Sequence, residues 1–200
     1  MAARRLSAVT VAPESVGLPA TGLLRASGNL QLLSTPRLGL ICSSQCPGGI
    51  VLRAFDLIRD LRDRGTVIVG GFHSPMEREC LRILLRGRQP IVICPARSID
   101  GMSVPAEWES AYDFGRILIM SAFAPEERRI IRRLALRRNR FVCALSERVL
   151  VPHASPGSAT LKLCSELIAS GKPVLTFADR ANDDLLLNGA SAVESSEECL

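Results

Sequence analysis

Two stretches of this chain combine hydroxyls, glycine and an approaching helix start, the pattern that cradles an anion with backbone N–H groups and a helix dipole. The first is Ser43-Ser44-Gln45-Cys46-Pro47-Gly48-Gly49, and the second is His153-Ala154-Ser155-Pro156-Gly157-Ser158-Ala159-Thr160. Neither is a GxGxxG fingerprint, which argues against classical dinucleotide binding and leaves a plain strand-to-helix turn as the competing reading of each. Between them in sequence lies Gly70-Gly71-Phe72-His73-Ser74-Pro75-Met76-Glu77, whose glycines permit close approach of a ligand to the backbone. His73 there fits an acid/base or phosphate contact, and equally a loop hydrogen bond; Glu77 near a helix start is also a dipole partner. Arg97 and Ser121 close two further apolar runs, where a phosphate contact is feasible. Two small-residue loops on one sheet edge would make a composite anion pocket, a more specific signal than either loop alone.

Arginine supplies the charge. Residues Glu126 to Arg140 hold seven arginines against two glutamates. Read as a helix from Pro125 to about Leu145, they set Arg128, Arg129, Arg132 and Arg133 on one side and Ile130, Ile131 and Leu134 on the other. Arg137, Arg138 and Arg140 extend the basic side. A solvated helix face is the bland reading; the excess of cations favours a phosphate-tracking surface. The formal charge is +5, and lysine occurs only at Lys162 and Lys172. Arginine's planar fork suits phosphates and stacked bases, although a GC-rich genome gives the same bias.

The elements that would hold these residues follow from periodicity. Short apolar runs at Leu38 to Cys42, Thr66 to Gly70, Pro90 to Cys94, Arg116 to Met120, Arg148 to Val151 and Pro173 to Phe177 alternate with amphipathic stretches at Gly49 to Arg64, Pro75 to Arg86 and Ser158 to Ser170. The expected fold is therefore α/β: a Rossmann-like, doubly wound, mostly parallel sheet of about six strands in a three-layer α/β/α arrangement. Ligands of such sheets bind beyond the carboxyl ends of the strands, where strand order reverses. Residues 1–36, with one acid and no sustained period, read as a flexible arm; 37–193 form the domain and 194–200 a tail. The basic, acid-poor opening also has features of a transit peptide, but a cytoplasmic location is the expectation.

At 47% apolar and 200 residues the chain can bury one substantial core. No apolar run approaches the roughly 18 residues of a membrane span. Seven cysteines, an odd number lying mostly in apolar runs, read as buried thiols of a reducing compartment. Cys42 and Cys46, with His73 or Cys80, could be imagined as a zinc site, but no second close Cys/His pair supports it, so neither metal nor cofactor is expected.

Arg138-Asn139-Arg140-Phe141-Val142-Cys143-Ala144-Leu145-Ser146, followed by a strand and by Pro156-Gly157-Ser158, resembles the arginine-asparagine-arginine segment and SGS loop of the DprA/Smf family of DNA-processing proteins. The glycines at Gly70-Gly71 and the closing Asn182 with Gly189-Ala190 extend the resemblance over residues 37 to 193. It implies an extended Rossmann-like domain that dimerises, binds single-stranded DNA in a basic pocket and helps load a RecA-type recombinase during natural transformation. By that resemblance Arg138 and Arg140 would contact DNA, Ser43, Gly70, Gly71, Gly157 and Ser158 would line the phosphate pocket, and Asn139 would hold the loop. The family's glycine-serine-arginine motif stands here as Cys42-Ser43-Ser44, without its cation, and Glu77 replaces the usual aspartate.

Two rival functions share the fold. The LOG-type nucleotide phosphoribohydrolases use a PGGxGTxxE motif whose glutamate assists N-glycosidic cleavage. The corresponding stretch here, Pro156-Gly157-Ser158-Ala159-Thr160, is one residue short, and Leu163 stands where the carboxylate belongs. Glu166 could replace it only if the helix began later. A nucleotide sensor would use the same pocket, yet a mononucleotide needs one or two cations and not a track of them.

Overall fold

The computed structural model describes residues 4–16 and 24–199; the first three residues of the basic opening, part of the expected arm (17–23) and residue 200 lie outside it. Nine strands form one sheet: β1 (Val9–Val11), β2 (Leu24–Gly28), β3 (Arg37–Leu40), β4 (Val67–Gly70), β5 (Ile91–Ile93), β6 (Ile117–Ser121), β7 (Arg148–Leu150), β8 (Val174–Thr176) and β9 (Ser191–Ala192). Their order is β1-β2-β6-β5-β4-β3-β7-β8-β9. From β6 to β9 every neighbouring pair is parallel.

Alternation along each strand sorts the core into two layers. Leu38 and Leu40, Ile68, Ile91 and Ile93, Ile117 and Ile119 point to one cluster; Val67 and Val69, Val92, Leu118 and Met120 point to the other. Helices α1 (Gly48–Asp63), α2 (Pro75–Leu85) and α3 (Ala106–Asp113) cover the first face, while α4 (Arg132–Ala144), α5 (Ala159–Ala169) and α6 (Asp183–Leu187) cover the second. Burial on both faces explains the near-continuous apolar strands. The Rossmann-like, doubly wound expectation therefore holds, and all six expected strands are present.

Three strands were not expected. Arg25 to Gly28 of β2 pair antiparallel with Leu118 to Ser121 of β6, and β1 pairs in turn with β2. The segment read as a flexible arm thus extends the sheet. In β2, Leu24 and Ala26 are buried in the second layer, while Arg25 reaches Asp100 and the Ser27 hydroxyl meets the Tyr112 hydroxyl at 2.7 Å, so the strand offers only two apolar positions and no sustained period. β9 is too short to carry any period. At the other end, Cys199 is buried in the first layer and Arg64 and Arg53 pair with Glu197 and Glu194, so residues 194–199 pack against the domain.

The fourth expected helix is shorter than its sequence pattern. It begins at Arg132, after an extended Ile131, and the preceding residues form turns. The Glu127 carboxylate accepts the Ala124 N–H at 3.0 Å and binds Arg137, tying this segment into a loop. Arg128 and Arg129 therefore do not share a helix face with Arg132, and Ile130 and Ile131 are exposed at 47% and 50% instead of packing beneath it.

Candidate nucleic-acid crevice

Chain direction across the sheet reverses beside β3: β3, β4, β5 and β6 step one way, and the chain then returns to place β7 on the other side of β3. Beyond the carboxyl ends of these strands lies an open crevice of about 410 Å³. Its walls come from the loops after β3, β4 and β7 and from the first turns of α4. Of the residues singled out from sequence, it gathers Ser43, Ser44, His73, Arg138, Ser158 and Thr160.

The two hydroxyl loops are tied to each other. The Ser43 Oγ accepts the Ser155 N–H at 3.0 Å and lies 3.4 Å from the Ser158 Oγ, while the Ser43 N–H donates to the His153 carbonyl at 3.0 Å. His153 is buried, its Nδ1 3.0 Å from the Asn182 Oδ1, and the Asn182 amide donates to the Pro152 and Phe177 carbonyls at 2.9 and 3.2 Å. Asn182 thereby sets the β7 loop from below. Gly157 adopts φ +66, which closes the turn in which the Ser158 N–H reaches the Ser155 carbonyl.

Helix starts open onto this edge. No side chain caps α1, whose first-turn N–H groups at Gly48 and Gly49 have no intrahelical acceptor. Ser158 caps α5 through the Leu161 N–H, leaving the amides of Ala159 and Thr160 without one. α2 is closed by a capping box in which the Ser74 Oγ accepts the Glu77 N–H and the Glu77 carboxylate accepts the Ser74 N–H.

Glu77 does more than cap. It is 2% exposed, and its oxygens also accept the Cys42 N–H at 2.9 Å and the His73 N–H at 2.8 Å, so one carboxylate joins the loops after β3 and β4. In sequence Glu77 stood near a helix start as a dipole partner; its contact to Cys42, 35 residues away, left no signal there.

Arg138 is 3% exposed and reaches into the crevice from α4. Its Nε donates to the Asn139 Oδ1 at 2.7 Å, and its Nη1 lies 3.5 Å from the Cys94 carbonyl. Burial lowers its pKa, against the nearby Glu77 carboxylate, which raises it; a guanidinium stays charged under both influences. The guanidinium lies over Gly71, where a Cβ would come within 1.6 Å of Nη1, so glycine makes room for it. Gly70, at the end of β4, is buried and in contact with the Phe72 ring.

Other expected residues lie elsewhere. Ser121 is fully buried, donating to the Arg97 carbonyl at 2.8 Å and accepting the Phe123 N–H, so it and the Arg97 backbone shape a loop outside the crevice. Arg137 pairs with Glu127 and stacks 4.7 Å from the Phe123 ring centroid, beside a separate cavity. Arg140 faces α5, where its ion pair with Glu166 raises its pKa. Arg132, at the start of α4, is exposed, lines the crevice and has no acidic partner within 4 Å among the described residues. Among the described residues, no group of three or more His, Cys, Asp or Glu side chains is placed to hold a metal ion.

An open α/β sheet with helices on both faces and a crevice at its switch point defines the class: a Rossmann-like α/β domain. Residues 18–200 match the family model of DNA recombination-mediator protein A, and the chain belongs to that family. Its fold is similar to DNA processing protein A (DprA) from Helicobacter pylori, whose structure is described for its single-stranded DNA binding mode: TM-score 0.77, 20% identity, 98% of this chain and 95% of that one. DprA from Streptococcus pneumoniae follows with TM-score 0.73 and 23% identity over 92% of this chain and 67% of that one. The molybdenum cofactor binding protein of Rippkaea orientalis shares the fold more distantly, with TM-score 0.57 and 16% identity over 82% of this chain and 93% of that one. No curated protein matches the sequence.

Proposed function

We propose that this protein binds single-stranded DNA, with a backbone phosphate held in the crevice between the β3–α1 and β7–α5 loops. The observation that carries this reading is the convergence of the open α5 amides at Ala159 and Thr160, the Ser43 and Ser158 hydroxyls and the Arg138 guanidinium on one cavity, with Arg132 exposed at its wall. Charge-assisted bonds from fixed donors suit a phosphate oxygen. Arg128 and Arg129, just before α4 and free of ion pairs within 4 Å among the described residues, extend the positive surface that a polyanion would follow.

The crevice is poorly equipped for N-glycosidic hydrolysis. Its one carboxylate among the described lining residues, Glu77, is held by three backbone amides. Leu163 is buried, and Glu166 is engaged with Arg140. The family's description as a recombination mediator supports action on DNA; a cytoplasmic site of action, a RecA-type recombinase as partner and a homodimeric form are part of the same proposal.

Fluorescence anisotropy of a labelled oligothymidylate across a salt series tests the reading. Micromolar or tighter binding at low salt, weakening as salt rises by about 0.7 log units per log unit for each phosphate contacted, is the expected result. Absence of binding at low salt overturns it and redirects attention to mononucleotides.

A further inference from the structure

A second cavity, about 330 Å³, adjoins the crevice across the β3–α1 loop. Ser44 lines both cavities. The first turn of α2 is likewise shared by helical alternation: Ser74 and Glu77 face the crevice, whereas Met76 and Arg78 face the second cavity. Its floor is apolar, built from Val51 and Phe55 of α1 and Met76 of α2. Arg78 and Arg82 stand over it; Arg82 pairs with Glu79, and Arg78 has no acidic partner within 4 Å among the described residues.

We propose that this cavity is a nucleobase subsite, taking one base of the strand whose phosphate occupies the neighbouring crevice. The inference rests on the single-stranded DNA reading above. A flat ring needs an apolar, polarizable floor and gains from a cation near its face, and Phe55, Met76 and the unpaired Arg78 supply these. Contact through π-faces and not hydrogen-bond edges makes the subsite tolerant of base identity. A phosphate alone would find little here, because the floor is apolar and the open amides of α5 line the crevice and not this cavity.

Cys46 gives a direct reporter. It is half-buried at this cavity, whereas the other six cysteines are buried; the neighbouring Cys42 thiol lowers its pKa, while burial raises those of Cys80, Cys94, Cys143, Cys164 and Cys199. Maleimide at neutral pH therefore reacts first at Cys46. The wild-type protein would be alkylated alone, with saturating oligothymidylate, and with a saturating abasic oligonucleotide of the same length, and Cys46 modification followed by peptide mass spectrometry. A base in the cavity slows Cys46 alkylation at least fivefold with oligothymidylate and leaves it near the free rate with the abasic strand. Equal protection by both strands, or by neither, overturns the subsite while leaving phosphate binding standing.

A second measurement uses Val51→Trp, which fills the cavity. Wild-type protein should prefer oligothymidylate over the abasic strand by about tenfold, the order expected of one stacked base. In the variant that preference should fall to near one, with abasic binding retained. An unchanged preference contradicts the proposal, and failure of both strands to bind wild-type protein removes the DNA reading itself.

Discussion

The floor of the crevice and its arginine-bearing rim are built on opposite principles. On the floor, Glu77, Ser43, His153 and Asn182 are all less than 10% exposed and bonded to backbone groups of neighbouring loops. At the rim, Arg132 is exposed at the first residue of α4, and Arg128 and Arg129 are exposed on the irregular segment before it, all three without ion-pair partners among the described residues. A fixed floor makes donors available without reorganisation, and a loosely tethered rim supplies charge that adapts to a flexible strand. Stability should therefore reside in the first region and salt-dependent affinity in the second.

Removing Glu77 should break this division most severely. Glu77→Ala leaves the amides of Cys42, His73 and Ser74 without their acceptor and is expected to cost on the order of 4 kcal/mol, measured by urea unfolding. Asn182→Ala strands the Pro152 and Phe177 carbonyls and should cost about 2 kcal/mol in the same assay. Gly71→Ala pushes against the Arg138 guanidinium; a loss of about 1 to 2 kcal/mol is expected, together with weaker DNA binding at every salt concentration and an unchanged salt slope. The triple change Arg128→Ala, Arg129→Ala, Arg132→Ala should do the reverse. It should leave stability within about 0.5 kcal/mol per site and lower the salt slope of oligothymidylate binding by about 2 units. Arg140→Ala, on the α5 side, should change neither the slope nor the affinity measurably, since its partner is Glu166. A steep loss of DNA binding in that variant would mean that the strand follows α4 away from the crevice.

The sheet was legible in sequence because burial on two faces leaves continuous apolar strands, and the helices between them carry a clear period. β1 and β2 were not, since β2 sets only two buried apolar residues, Leu24 and Ala26, between Arg25 and Ser27, a stretch too short to stand out from a polar arm. The candidate site was legible in part. Composition identified the two hydroxyl loops, and the reversal of strand order brings them together. The arginines were harder. Arg138 lies four residues from both Leu134 and Val142, on the buried side of α4, a position that spacing alone could have revealed. Counting charges instead made it one of a surface series. The loop at 122–131 depends on the Glu127 carboxylate folding back on Ala124 and Arg137, a contact that propensity does not encode.

The location of the bound phosphate tests the account most directly, and amide chemical shifts of isotopically labelled protein titrated with oligothymidylate report it. The largest shifts are expected at Gly48, Gly49, Ser158, Ala159 and Thr160, with the Arg138 side-chain Nε–H moving alongside them. Shifts confined to the α3 and β1 side of the sheet, with these amides unmoved, would contradict the assignment of the crevice as the phosphate site.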